Sequence, residues 1–221
     1  MIILIGIVVA IAAYLIGSIN PSIIISKTLA GSDIRTSGSG NAGATNMLRT
    51  YGKKMAIATL LLDVLKGVIA VLIARLLDEL FLCHIATTDA FSTHIVGSLP
   101  YIAGFFVALG HNFPVFFGFR GGKGVATGLG VLLSLNWQIG IICLVIAISI
   151  MAISRYVSLG SVIGAGLFPI LLLAFSLGSG EIDVFSLFFA IGLAALIIAR
   201  HHSNIKRLIH GEENKLFAKK N

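Results

Sequence analysis

Three short stretches of this 221-residue chain carry residue types that do chemistry on anions. The first is Gly38-Ser39-Gly40-Asn41-Ala42-Gly43-Ala44-Thr45-Asn46-Met47-Leu48-Arg49. Its small residues leave successive backbone N–H groups uncovered, so that they can converge on an oxyanion. Ser39, Asn41, Thr45 and Asn46 add neutral hydrogen-bonding groups, and Arg49 adds a fixed cation suited to phosphate. A flexible linker is also glycine-rich, but it has no use for two Asn and a closing Arg. The second stretch is Gly110-His111-Asn112-Phe113-Pro114, followed by Phe119-Arg120-Gly121-Gly122-Lys123-Gly124-Val125-Ala126-Thr127. A Gly-Gly-Lys-Gly turn entering a helix combines free N–H groups, the favourable dipole end and an ammonium group. It is not a Walker A loop, since the spacing fails and no Ser or Thr follows Lys123. A tight turn alone would also use these glycines, and His111 alone reads as an interior polar residue with a hydrogen-bond partner. The third stretch is Arg200-His201-His202-Ser203-Asn204-Ile205-Lys206-Arg207-Leu208. On a helix His201 and Asn204 share a face, as do Asn204 and Arg207. A His beside an amide can take a proton from a hydroxyl or bind a phosphate oxygen. The plainer reading is a basic anchor lying on anionic lipid.

The elements that must position these motifs are apolar. Hydrophobic residues make up 57% of the chain and charged residues 11%, where a soluble domain carries about 25% charged. Runs of about 20 apolar residues are each long enough for a bilayer core roughly 30 Å thick. They fall at about Ile2–Ile25, Met55–Leu77, Leu99–Phe117, Ser158–Leu177 and Val184–Ala199. The expected fold is therefore an all-α, polytopic transmembrane bundle forming a single domain over residues 1–221. A net charge of +7 would suit nucleic acid only on a soluble basic face. Here the cations flank apolar spans, so lipid headgroups or phosphorylated molecules are the expected partners, not nucleic acid.

Charge also sets the topology. Of the 16 Lys and Arg, all but Lys66 and Arg75 can be placed on one face of the membrane. Between Lys123 and Arg155 lies a long apolar segment with a polar break at Ser134-Leu135-Asn136-Trp137-Gln138. One tilted helix there would throw the basic tail to the opposite face. A hairpin of two short legs, about 15 residues each, keeps every basic cluster on one side. That gives seven crossings, N-terminus outside and C-terminus cytoplasmic; a re-entrant pair would give five with the same parity. Arg200 to Lys220 is expected to continue the last helix into the headgroup layer. Met1 to Ile16 has no basic start and no small-residue cleavage site, so it reads as a retained helix.

Other residues are less decisive. Asp63 and Lys66 lie inside the second span, where charge is costly. They either neutralise each other or leave Asp63 to hold an Arg of the first loop. Cys83 and Cys143 form no disulfide or metal pattern, and the chain contains no cofactor motif. His84-Ile85-Ala86-Thr87-Thr88-Asp89 has the spacing of an H-x4-D acyltransferase signature, yet it falls on the outer face, away from the glycine-rich motifs.

Taken together, the three motifs resemble those of the bacterial acyl-phosphate:glycerol-3-phosphate acyltransferases. The likeness rests on Gly38 to Asn46 with Arg49, on Gly110-His111 with Pro114 and Phe119 to Thr127, and on His201 with Asn204-Ile205 and Arg207-Leu208. It implies a seven-helix membrane enzyme that makes lysophosphatidic acid with its active site toward the cytoplasm. Ser39, Arg49, His201 and Asn204 take the catalytic roles by resemblance. Asn41, Gly43, Thr45, Asn46, His111, Gly121, Gly122, Lys123, Gly124 and Arg207 take substrate-binding ones, with Ser158 and Ser161 as added phosphate contacts. The implied partners are glycerol 3-phosphate, acyl phosphate, membrane lipid and the enzyme that supplies the acyl phosphate. The other function compatible with these residues is a transporter of a phosphorylated anion, although transporters usually bind near mid-membrane between repeated halves.

Overall fold

A computed structural model describes residues 2–82, 97–180 and 183–216. His84 to Asp89, Cys83, Glu181, Lys219 and Lys220 lie outside the described residues. Among the described residues every regular element is helical, and the chain groups into two compact units, Met1–Leu135 and Asn136–Asn221.

The first unit opens with α1 (Ile2–Ser18) and α2 (Pro21–Ala30). The first apolar run is thus two helices, not one. The residue before a proline is driven out of helical conformation. Asn20 uses that break to cap α2, accepting from the Ile23 N–H at 3.3 Å and from the Ser22 hydroxyl at 2.7 Å. After the first polar loop come α3 (Ala44–Tyr51) and the long α4 (Lys53–Leu77), separated by Gly52, which sits at φ 85. Next are α5 (Leu99–Asn112) and α6 (Val125–Leu135). α5 packs against α1, α4 and α6, and α6 packs against α4. The α4–α6 crossing is close because each helix offers a glycine. A Cβ on Gly67 would strike the Thr127 carbonyl oxygen, and one on Gly130 would strike that of Val64.

The second unit contains α7 (Trp137–Ser154), α8 (Val157–Ser179), α9 (Val184–Arg200) and α10 (His202–Ile209). α8 packs against α7, α9 and α10. The expected polar break is real: Asn136 caps α7 by accepting from the Ile139 N–H at 3.1 Å. The two helices flanking it are unequal, 11 residues for α6 and 18 for α7. The tail does not prolong α9. At His201 the chain bends by 60° and starts α10 afresh.

The apolar side chains show where lipid belongs. On α1, Val9 and Ala13 are buried, whereas Ile3, Leu4, Ile7, Val8 and Ile11 are each at least half exposed. Leu61 of α4 and Ile153 of α7 are likewise exposed. Continuous apolar faces of this size are incompatible with water and suit hydrocarbon. Among the described residues five stretches have the length and hydropathy to cross a bilayer, six if bent α9–α10 is counted as one span, and α6 is a shorter apolar helix besides.

Candidate anion-binding site

In the first unit the glycine-rich loop is shaped by one side chain. Asn46, in the first turn of α3, is 1% exposed. Its Nδ2 donates to the carbonyls of Ile34, Ser37 and Asn41 at 3.2, 3.0 and 3.1 Å. Its Oδ1 accepts from the Ser39 N–H at 2.9 Å. Asn46 therefore fixes the backbone that presents Ser39, which is itself exposed. Thr45 is half-buried on α3, and Arg49 lies in that helix's last turn.

A second brace was not foreseen from the sequence. Asp33 binds Arg35 through a 3.0 Å hydrogen bond from Nε and a 2.8 Å ion pair from the other arm of the guanidinium. Arg35 then donates to the carbonyls of Phe117 and Arg120, at 2.7 and 3.0 Å. The first loop is thereby tied to the segment leading into Gly121. Hydrogen bonding from Arg35 holds the Asp33 carboxyl well below the usual range, more than offsetting the desolvation that raises it. The signal in the sequence was the Asp-x-Arg spacing, which places both charges beside one short turn.

The Gly121-Gly122-Lys123 turn folds back onto the end of α5. Gly121 N–H donates to the Asn112 carbonyl at 3.2 Å, and Gly122 N–H to the His111 carbonyl at 3.1 Å. Gly122 is wedged between the His111 ring and the Ala42 carbonyl, so no Cβ fits there. The first and second motifs are therefore in contact, as a shared site requires. Gly124, at φ 79, opens α6, and Lys123 is half-buried. Beneath this turn, Asp63 pairs with Lys66 at 2.9 Å and with His111 at 3.1 Å. Asp63 does not reach up to a loop Arg; Arg35 is held by Asp33 instead.

In the second unit, Ser158, Asn204 and Arg207 meet on a residue the motifs did not flag. Glu213 accepts from the Ser158 hydroxyl at 3.1 Å, from Asn204 Nδ2 at 2.7 Å and from Arg207 Nε at 2.8 Å. Its signal was an acidic pair, Glu212-Glu213, inside an otherwise basic tail. Ser161 donates to its own helix at the Val157 carbonyl, 2.9 Å away. His201 lies at the bend, buried, with Nδ1 2.8 Å from the Ile197 carbonyl. Because a carbonyl only accepts, Nδ1 carries a proton there. Among the described residues no group of His, Cys, Asp and Glu is arranged to hold a metal.

A helical protein clad in apolar side chains, with its glycine-rich and basic motifs gathered in the segments between helices, is an integral membrane protein. The model of one family, described as glycerol-3-phosphate acyltransferase, matches residues 7–211. A protein of that name from Clostridioides difficile is 45% identical over 97% of each chain. Another, from a Thermoanaerobacter species, is 46% identical over 96% of each. The crystal structure of PlsY, an integral membrane glycerol 3-phosphate acyltransferase, in its glycerol 3-phosphate form aligns with a TM-score of 0.78. The two are 38% identical over 96% of this chain and 95% of that one. Its lysophosphatidic acid form aligns with a TM-score of 0.76. This chain belongs to the glycerol-3-phosphate acyltransferase family.

Proposed function

We propose that this protein moves a fatty acyl group from acyl phosphate to the sn-1 hydroxyl of glycerol 3-phosphate, giving lysophosphatidic acid for phospholipid synthesis. The observation that carries this reading is the contact between the two glycine-rich motifs, with Gly122 closed against His111 and Ala42 and Lys123 next in the chain. Two glycine-rich segments in contact, with a cation next in the chain, fit a reaction between two phosphorylated molecules. The crystallised relative, solved in glycerol 3-phosphate and lysophosphatidic acid forms, supports the same substrate and product.

The chemistry asks little beyond placement and charge stabilisation. The hydroxyl oxygen of glycerol 3-phosphate attacks the acyl carbonyl, and the bond from that carbon to the phosphate oxygen breaks. Inorganic phosphate leaves with its electron pair, and the hydroxyl proton passes to a base. Phosphate is a good leaving group, so no covalent enzyme intermediate is needed. In this reading Gly121, Gly122, Lys123 and Gly124 hold glycerol 3-phosphate, with His111 behind them. Ser39 and Arg49 serve the reacting centre, and Asn41, Gly43, Thr45 and Asn46 line or shape the first loop. His201 and Asn204 take the third-motif roles, with Ser158, Ser161 and Arg207 as phosphate contacts. The base is His201 or an oxygen of a substrate phosphate.

In this reading the protein works in the bacterial cell (inner) membrane with its site facing the cytoplasm. Seven crossings follow if the five long spans, the bent α9–α10 pair and short α6 each traverse it. The test is an assay of purified protein with acyl phosphate and glycerol 3-phosphate. Formation of lysophosphatidic acid with stoichiometric inorganic phosphate is expected. No product, with phosphate moved across vesicles instead, would make the protein a transporter. Product from acyl-CoA or acyl-carrier protein alone would refute the donor.

A further inference from the structure

Asp63, Lys66 and His111 are 1%, 7% and 3% exposed, inside an apolar bundle, and the reaction as described uses neither Asp63 nor Lys66. An ion pair so placed needs a reason, because a buried pair is often replaced by apolar residues with no loss of stability. The geometry supplies one. Asp63 Oδ1 lies 3.1 Å from His111 Nδ1 and 2.9 Å from Lys66 Nζ. Lys66 Nζ is also 2.9 Å from the same ring nitrogen and donates to the carbonyls of Gly17 and Ile19 at 3.0 and 2.9 Å. The ring nitrogen bonds one of the two at a time, donating to Asp63 when it carries a proton and accepting from Lys66 when it does not. In either tautomer the Nδ1 edge is held, and the ring has a single orientation. Its Nε2 edge then forms the surface against which Gly122 closes. The His111 carbonyl takes the Gly122 N–H as well, so one residue sets the turn through both its ring and its backbone.

We propose that Asp63, with Lys66, is a positioning element for the anion-binding turn: it fixes the His111 ring and thereby the approach of the Gly121–Lys123 backbone to the substrate phosphate. This rests on the reading of that turn as the glycerol 3-phosphate site. The ionic network holds a shape that an apolar replacement could not. It acts through His111 and touches no substrate.

The test is steady-state kinetics on Asp63→Asn and on the neutral double variant Asp63→Asn/Lys66→Gln, in native membranes and after purification. KM does not depend on how much protein folds, so even a poorly accumulating variant reports. The expected result is an apparent KM for glycerol 3-phosphate raised about tenfold or more, the size of one mis-set hydrogen bond to a charged group. KM for the acyl donor and turnover at saturating glycerol 3-phosphate should stay close to wild type. A purely structural ion pair behaves differently: the double variant would recover the thermal stability lost in Asp63→Asn and show the wild-type KM. That outcome overturns the proposal. So does turnover abolished in a variant with a wild-type unfolding profile, which would make the network part of the chemistry. If the wild-type protein forms no lysophosphatidic acid, the assigned function has failed, and that result is distinct from either variant outcome.

Discussion

Asn46→Ala tests whether the first loop is held by one amide. Asn46 makes four hydrogen bonds, and the one to the Ile34 carbonyl is fully buried while the others are partly so. Alanine leaves the Ser39 N–H and three carbonyls to find other partners. A buried polar group without a partner costs about 1–3 kcal/mol, and the half-buried ones recover water, so the total is about 2–4 kcal/mol. In thermal unfolding of the detergent-solubilised protein this lowers the midpoint by roughly 5–15 °C. Turnover should fall by about a hundredfold, because a displacement near 1 Å at Ser39 is enough for a loss of that size. Asn46→Asp sharpens the test. The carboxylate still accepts from Ser39 but turns a second oxygen toward three carbonyls, so Asp must be less stable than Ala. An alanine variant with wild-type midpoint and turnover, or an Asp variant more stable than Ala, would refute the account of the loop.

Lys123→Ala should raise the apparent KM for glycerol 3-phosphate by about ten- to a hundredfold, the effect of losing one charge-assisted contact, whereas Ser39→Ala and Arg49→Ala should depress turnover; wild-type kinetics in all three at equal abundance would remove the motif assignment. The Asp33 carboxyl is held below its unfolded value of about 4, so its contribution to stability is present above that pH and is lost as pH falls below it. Asp33→Asn should therefore lower the unfolding midpoint at neutral pH and flatten its decline in acid, and an unchanged acid limb would contradict the brace. For topology, a Cys introduced near Asn136 should react with an impermeant reagent from outside the cell and one near Ser203 only after permeabilisation; outside labelling near Ser203 would overturn the seven-crossing map.

Much of the helical layout was legible because hydropathy reports helices that face lipid. Met55–Leu77 and Ser158–Leu177 fall almost on α4 and α8, and the break at Asn136 was marked by its own capping residue. The split at Asn20-Pro21 was also written in the sequence, but two polar-compatible residues vanish inside a run of apolar ones. The bend at His201 was not legible. Nor was Glu213 legible as the partner of Asn204, nine residues further on. Spacing rules see neighbours on a helix, not a carboxylate that returns from the chain end. The Asp63–Lys66 pair was visible at i, i+3, but its third member, His111, comes from another helix. Arg35 likewise finds its carbonyls 82 and 85 residues away.

Lys66 and Arg75, the two cations left out of the one-sided charge map, have the same job at opposite times. Lys66 satisfies the carbonyls of Gly17 and Ile19 at the end of α1, 49 and 47 residues earlier in the chain. Arg75 satisfies those of Ser134 and Leu135 at the end of α6, 59 and 60 residues later. During synthesis, then, Lys66 enters the bilayer with its acceptors already made and Asp63 on the same helix. Arg75 enters before its acceptors exist. A lone cation at the centre of a helix costs about 2.5–3.5 kcal/mol on insertion, and less toward the end, where Arg75 sits. The nascent α4 is thus a competent but incomplete span until Leu135 has left the ribosome. The Arg75 end of α4 gains its partner carbonyls only as α6 arrives, so α6 completes a helix made before it.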